Sequence, residues 1–246
     1  MIDPGATVLF SPHLDDAAIS CGMLLAACTH AHVVTLLAGV PSPTIDVREW
    51  DVRCGFSNSA KAMAARRAED SAAMAILGAQ GHYEDFFDSQ YDVLPSANDV
   101  AAAMATALAA WQPDTVLVPL GLHHCDHERV HAGALLAMRQ TGFGVRWLAY
   151  EDLPYAGRAG VMQSRLSALE AAGICATRVA LAPLWHNRAA TQRAGDIKTR
   201  ALGAYVSQLA AVGIAADAFS DAGSERYWLL QPNAQLSAAG KSSAAW

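Results

Sequence analysis

A short apolar run, Ala6 to Ser11 (ATVLFS), is followed by a helical stretch from Ala17 to Cys28 and a second apolar run, His32 to Ala38 (HVVTLLA). Runs this short and this uniformly apolar fit strands buried on both faces, so the segment reads as a βαβ unit. The alternation continues. A helix is expected from Asn58, a plausible cap, to Leu77, stopped by Gly78, then a strand over Gly81 to Phe87. Ser96 opens an alanine-rich helix to Trp111, and Thr115 to Pro119 (TVLVP) has the character of a central strand. Glu128 to Gln140 reads as helix, Val145 to Tyr150 and Arg178 to Leu181 as strands, and Ala189 to Val212 as one long helix. Strands alternating with helices imply an α/β fold: a mostly parallel sheet with helices on both faces and right-handed crossovers. The expected organisation is a single catalytic domain over residues 1–232, with an Ala- and Ser-rich tail, 233–246, that lacks periodicity and is expected to be poorly ordered.

Such sheets hold ligands at their carboxyl edge. The two most polar, histidine-rich loops, His13-Leu14-Asp15-Asp16 and His123-His124-Cys125-Asp126-His127, each directly follow an expected strand. They meet if those strands are neighbours. Common nucleotide chemistry is disfavoured, because the chain contains neither G-x-G-x-x-G nor G-x-x-x-x-G-K-[ST]. A net charge of -6, with Lys and Arg scattered singly, offers no footprint for nucleic acid or an anionic membrane. No run approaches a membrane span, and the N-terminus lacks the pattern of a secretory signal, so a cytoplasmic location is expected. The cysteines, Cys21, Cys28, Cys54, Cys125 and Cys175, are odd in number and never spaced C-x-x-C, so neither a disulfide framework nor a thiolate zinc site is indicated.

His13 and Asp16, three residues apart in a strand-to-helix turn, can converge on one ion, and His127 can supply a third ligand. A His, Asp, His set leaves a coordination position open, as a catalytic site requires. These donors suit Zn²⁺, and Fe²⁺ or Co²⁺ also fits. Asp15, beside a ligand but pointing elsewhere, is the candidate general base, and His124 the candidate oxyanion partner, oriented or charged by Asp126. Either Asp15 or His124 can return a proton to a departing amine. An Asp-Asp pair before a helix is also an ordinary response to the helix dipole. Three histidines within five residues at a strand end are harder to explain as packing. His123 and His124 exchange on a one-residue slip, and only spacing to Asp126 and His127 separates them. Cys125 is read as idle, and His131 as a surface or supporting histidine.

The segment Ser11 to Gly22 (SPHLDDAAISCG) resembles the H-P-D-D-E…G-G signature of the PIG-L/LmbE-type zinc de-N-acetylases, and His124 to His127 (HCDH) resembles their H-P-D-H. Arg66-Arg67-Ala68-Glu69-Asp70 with Leu77-Gly78 is similar to the family's R-R-x-E…LG helix, and Lys198, Tyr205 and Ser207-Gln208 to its late K…Y-x-S-Q segment. The resemblance implies a Rossmann-like domain and a zinc-dependent deacetylase acting on a small N-acylated amino-sugar-like substrate, such as an N-acetylglucosamine conjugate or another amino-sugar natural product. It implies His13, Asp16 and His127 as zinc ligands, Asp15 as base, and His124, supported by Asp126, as oxyanion or leaving-group partner. Leu14 and Cys125 replace two prolines, Ala17 replaces a glutamate and Cys21 a glycine. Substrate recognition is therefore expected to differ from that of the usual glucosaminides. Arg66 either meets substrate or pairs with Glu69 one turn on. Lys198, Tyr205 and Gln208 are expected to share a helix face in a structural role, and Trp50 and Phe56 are candidates to stack on a sugar. Two rivals from other classes are a non-catalytic metal-dependent binding protein and a metal-free Rossmann transferase.

Overall fold

The structure, a computed structural model, describes residues 4–142, 144–181, 188–213, 215–219 and 224–233. Its strands are β1 (Thr7–Ser11), β2 (Ala31–Thr35), β3 (Gln80–Tyr83), β4 (Thr115–Pro119), β5 (Arg146–Tyr150), β6 (Ile174–Val179) and β7 (Tyr227–Pro232). They form one sheet in the order β3-β2-β1-β4-β5-β7-β6. From β3 through β5 the neighbours run parallel, while β7 lies antiparallel between β5 and β6. The chain winds outward from β1 to β2 and β3, then returns to place β4 on its other side. Strand order reverses between β1 and β4, so the crevice outside their carboxyl ends is where this architecture exposes a site.

The central strands are buried along their whole length, and alternate residues feed opposite cores. Val8, Phe10, Val116 and Val118 pack under α4 (Ala97–Trp111) and α5 (Cys125–Thr141). Leu9, Val33, Leu117 and Leu148 face α1 (Asp16–Ala27), α3 (Ser59–Leu77) and α8 (Arg188–Leu202). The expected caps form: Asn58 accepts from the Lys61 amide, Gly78 is left-handed at φ 74°, and Ser96 and Asp99 make a reciprocal capping box.

Several elements depart from expectation. The long loop carries a short helix, α2 (Glu49–Arg53); α6 (Leu153–Ala156), α7 (Val161–Ala171) and the antiparallel strand β7 have no counterpart in the sequence reading. The strand expected over Arg178 to Leu181 begins earlier and ends at Val179. The single helix expected to Val212 is two, α8 and α9 (Val206–Val212). The turn falls at Gly203 and Ala204, and next to it Tyr205 is buried with its hydroxyl donating to Asp70 of α3 at 2.6 Å. Lys198, Tyr205 and Gln208 therefore lie on two helices and a turn, not on one face. Lys198 is fully buried, donating to Glu225 at 2.8 Å, and its stem crosses Gly22, where a Cβ would stand 2.7 Å from Lys198 Cγ. Of the expected tail, residues 234–246 lie outside the described residues.

Candidate active site

Because β1 and β4 are paired, the loops that follow them converge. Ser11 at the end of β1 ties the first loop down: its hydroxyl donates to His13 O and accepts from the Ala17 amide. Leu14, in place of a proline, is fully buried against Ala38, Met63 and Tyr91 and anchors the loop through packing. Asp15, the residue preceding α1, is held at φ 143°, a conformation costly for a residue with a Cβ. Asp16 meets His13 and His127, while Asp15 lines the pocket with Arg66. On the second loop α5 starts at Cys125, earlier than expected, so His124 is its cap and Asp126 and His127 lie in its first turn.

Ligand atoms of His13, Asp16 and His127 all lie within 4.8 Å of one another, and so do those of His13, His124 and Asp126. Two observations separate the sets. His127 Nε2 is buried without a hydrogen-bond partner; it stands 3.2 Å from Asp16 Oδ2 but out of alignment for a bond. His124 is 37% exposed in its side chain, and its Nδ1 is already occupied, accepting from the Asp126 amide at 3.3 Å. A cation between Asp16 and His127 would give this buried nitrogen a partner, so the first set fits a metal ion better. His127 Nδ1–H donates to Asp152 Oδ1 at 2.6 Å, and Asp152 Oδ2 accepts from the Leu122 amide. Such a carboxylate fixes the tautomer in which Nε2 is free to ligate.

The electrostatics follow from crowding. Burial works against a charged His13, but hydrogen bonds to Asp126 at 2.8 Å and Asp16 at 3.1 Å outweigh it and lift its pKa to about 9. Burial works likewise against a charged His127, and Asp16 and Asp152 more than offset it. Asp16 and Asp126 are pulled well below the ordinary carboxylate range, burial notwithstanding, by those imidazoles. Asp15 goes the other way. Burial first, then Asp16, raises it to about 7, with Arg66 opposing. Burial and His13 lower His124, which favours its neutral form; with Nδ1 accepting, the ring proton sits on Nε2.

Among the other expected residues, Asp126 makes its shortest imidazole contact with His13 and stands 3.9 Å from His124 Nδ1. Arg66 is 5% exposed and lines the pocket with Asp15 and Asp88, while Glu69 is taken by Ser207, so the one-turn pair does not form. Arg67 turns away to Ala38 O and Asp85. His131 is not a surface residue: it is buried, its Nδ1 on Pro119 O. Trp50 lines the pocket, with its Nε1 donating to Gln208, and Phe56 is not among the lining residues. The sequence reading missed Asp152 and Tyr155. Tyr155 lies edge-on to His127 at 5.2 Å and stacks near His124 at 5.9 Å. An acidic residue at a strand's carboxyl end was the available signal for Asp152.

A family model described as GlcNAc-PI de-N-acetylase matches residues 8–138. A 2'-N-acetylparomamine deacetylase of Streptomyces fradiae is 32% identical over 186 residues, covering 69% of this chain. The chain spans 64% of that relative's length. Among solved structures, the zinc-inhibited form of a teicoplanin deacetylase superposes with a TM-score of 0.73 at 21% identity, covering 92% of this chain and 98% of the other. A pseudoaglycone deacetylase superposes at 0.71 with 25% identity, covering 94% and 99%.

Proposed function

The chain belongs to the GlcNAc-PI de-N-acetylase family, and from that premise we propose that it is a zinc-dependent amide hydrolase removing an N-acetyl group from the amino-sugar part of a natural product. The observation that carries this reading is the buried, unpartnered Nε2 of His127 facing Asp16 beside His13, with a carboxylate of raised pKa, Asp15, adjacent. The Streptomyces fradiae relative, named for deacetylating a paromamine, supports the substrate class. His13, Asp16 and His127 would hold the ion, and their nitrogen and oxygen donors suit zinc. When bound, zinc supplies Lewis acidity toward water and the amide carbonyl.

The chain's own residues supply the proton handling. Asp15, with a pKa of about 7, is poised to take a proton from the attacking water at neutral pH. His124 offers Nε2–H to the oxygen on which negative charge develops. Asp126 holds His13, and Asp152 holds His127, so that the imidazoles keep their orientation. Cleavage of the C–N bond leaves acetate and the amine, the amine taking the proton that Asp15 removed from the water, while neutral His124 keeps its Nε2–H as a hydrogen-bond donor. Among the described residues no helix is long and apolar enough to cross a membrane, and the proposed setting is the cytoplasm with a small-molecule partner.

The test is amine release by zinc-reconstituted protein across N-acetylglucosamine conjugates and N-acetylated aminoglycosides. Asp15→Asn is expected to retain zinc and lose at least about a hundredfold in kcat, whereas Asp16→Ala loses zinc. Full turnover by Asp15→Asn would remove the general base. Zinc-loaded protein silent on every substrate would favour a binding protein instead.

A further inference from the structure

Two histidines that the proposed reaction leaves unused meet at the β3 edge of the sheet. Side chains alternate along a strand, and Val34 of β2 pairs with His82 of β3, so His32 and His82 stand diagonally on one face. His32 Nδ1 and His82 Nε2 are 3.0 Å apart. Trp111, the last residue of α4, covers both rings: its centroid lies 4.4 Å from that of His32, stacked at 9°, and 4.5 Å from that of His82. All three are half-buried, and none lines the candidate active site. The imidazoles are therefore held by packing and register yet reached by solvent, as a preorganised ligand pair must be.

Without an ion the two rings share one hydrogen bond, in which one nitrogen donates and the other accepts. If each ring instead carries its proton on the far nitrogen, two lone pairs face one another and a cation between them satisfies both. Metal–nitrogen bonds of ~2.05 Å spanning that 3.0 Å gap subtend about 94°. This is close to the cis angle of a tetragonal ion and narrower than the roughly 109° of tetrahedral zinc. Imidazole nitrogen completed by water in that geometry suits Cu²⁺ or Ni²⁺. Burial, then His30 for His32 and His32 for His82, lowers both pKa values, so protons compete weakly for the two nitrogens at neutral pH.

We infer that His32 and His82 form a second, exchangeable metal site for a tetragonal divalent ion, Cu²⁺ or Ni²⁺, which ties β2 to the edge strand β3 and is independent of the ion proposed for His13, Asp16 and His127. The test adds one equivalent of Cu²⁺ to zinc-loaded protein and follows electron paramagnetic resonance and tryptophan fluorescence. A spectrum split by two imidazole nitrogens is expected, with zinc retained and fluorescence partly quenched. His32→Gln and His82→Gln, which keep a polar partner for the remaining ring, are each expected to weaken copper binding by about tenfold or more and to abolish the two-nitrogen splitting. Trp111→Phe is expected to keep the spectrum and lose most of the quenching, and Asp16→Ala to keep both. In a separate melt, Ni²⁺ is expected to raise the Tm of zinc-loaded wild type but of neither histidine variant. Copper binding that needs Asp16, that depends on only one of the two histidines or on neither, or that is absent would overturn the inference, as would a wild-type Tm that Ni²⁺ leaves unchanged.

Discussion

Asp152 shows how much of the proposed metal site lies one residue behind its proposed ligands. His127 reaches the cluster as a neutral Nε2 donor only if its Nδ1 proton has an acceptor, and Asp152, buried and 2.6 Å away, is that acceptor. Asp152→Asn is expected to weaken zinc binding by about tenfold to a hundredfold, measured by competition with a chromogenic chelator; unchanged affinity would leave the carboxylate a purely structural partner of Leu122. The same cluster makes a second prediction. Without metal, Asp16, Asp126 and Asp152 hold His13 and His127 in their protonated forms at neutral pH, so an ion must displace those protons. Zinc binding at pH 7 is expected to release about two protons, read from calorimetry in buffers of different ionisation enthalpy. Release near zero would mean that the imidazoles are already neutral. The proposed ligands and Asp15 were legible because histidine and carboxylate concentrate in two short loops at strand ends. Asp152 and Tyr155 were not, since a lone Asp or Tyr after a strand is common, and only the fold reveals that each abuts His127.

At the scale of elements, the site exists because β1 and β4 are neighbours and the helices beneath them pack closely enough to keep them so. At one close approach, between α4 and α5, a Cβ on Gly133 would stand 2.3 Å from Val100 Cγ1 and 2.6 Å from its Cβ. Neither atom is the far end of a flexible side chain. Gly133→Ala is therefore expected to destabilise the fold by about 1–3 kcal/mol despite its better helix propensity, seen as a lower urea midpoint at constant m-value. A stabilised variant would show that the two helices separate without cost. The central parallel strands β1, β2 and β4 were readable from largely apolar runs, because strands covered on both faces leave a nearly unbroken hydrophobic signature. The C-terminal elements were not. β6 and β7 carry exposed or half-exposed positions, which dilutes that signature. Between α8 and α9 the chain turns at Gly203, a local signal, and Tyr205 is then held by a tertiary bond to Asp70 that no local pattern contains.

For the molecule as a whole, the His and Asp cluster of the proposed metal site contributes to how stability depends on pH. In metal-free protein His13 has its pKa raised from 6.5 to about 9. A group whose folded pKa is raised contributes stability that is complete below its unfolded pKa and is lost as pH rises through the folded one. His13 therefore stabilises below pH 6.5, and that contribution, on the order of 3 kcal/mol at most, drains away toward pH 9. His131, buried and lowered to about 4 by burial and by Arg165, has the opposite sign: the folded state stays neutral while the unfolded state takes up a proton, so stability falls as pH drops from 6.5 toward 4. Metal-free protein is thus expected to melt at progressively lower temperature from pH 6.5 to 9. Zinc reverses the upper limb, since ligation requires neutral imidazole and is favoured as protons leave. The gap in Tm between zinc-loaded and stripped protein should widen steadily over that range, measured by calorimetric melts at fixed zinc activity. A gap that stays constant with pH would show that His13 and His127 carry no extra protons in the stripped fold, and that the carboxylates around them are held by something other than imidazolium charge.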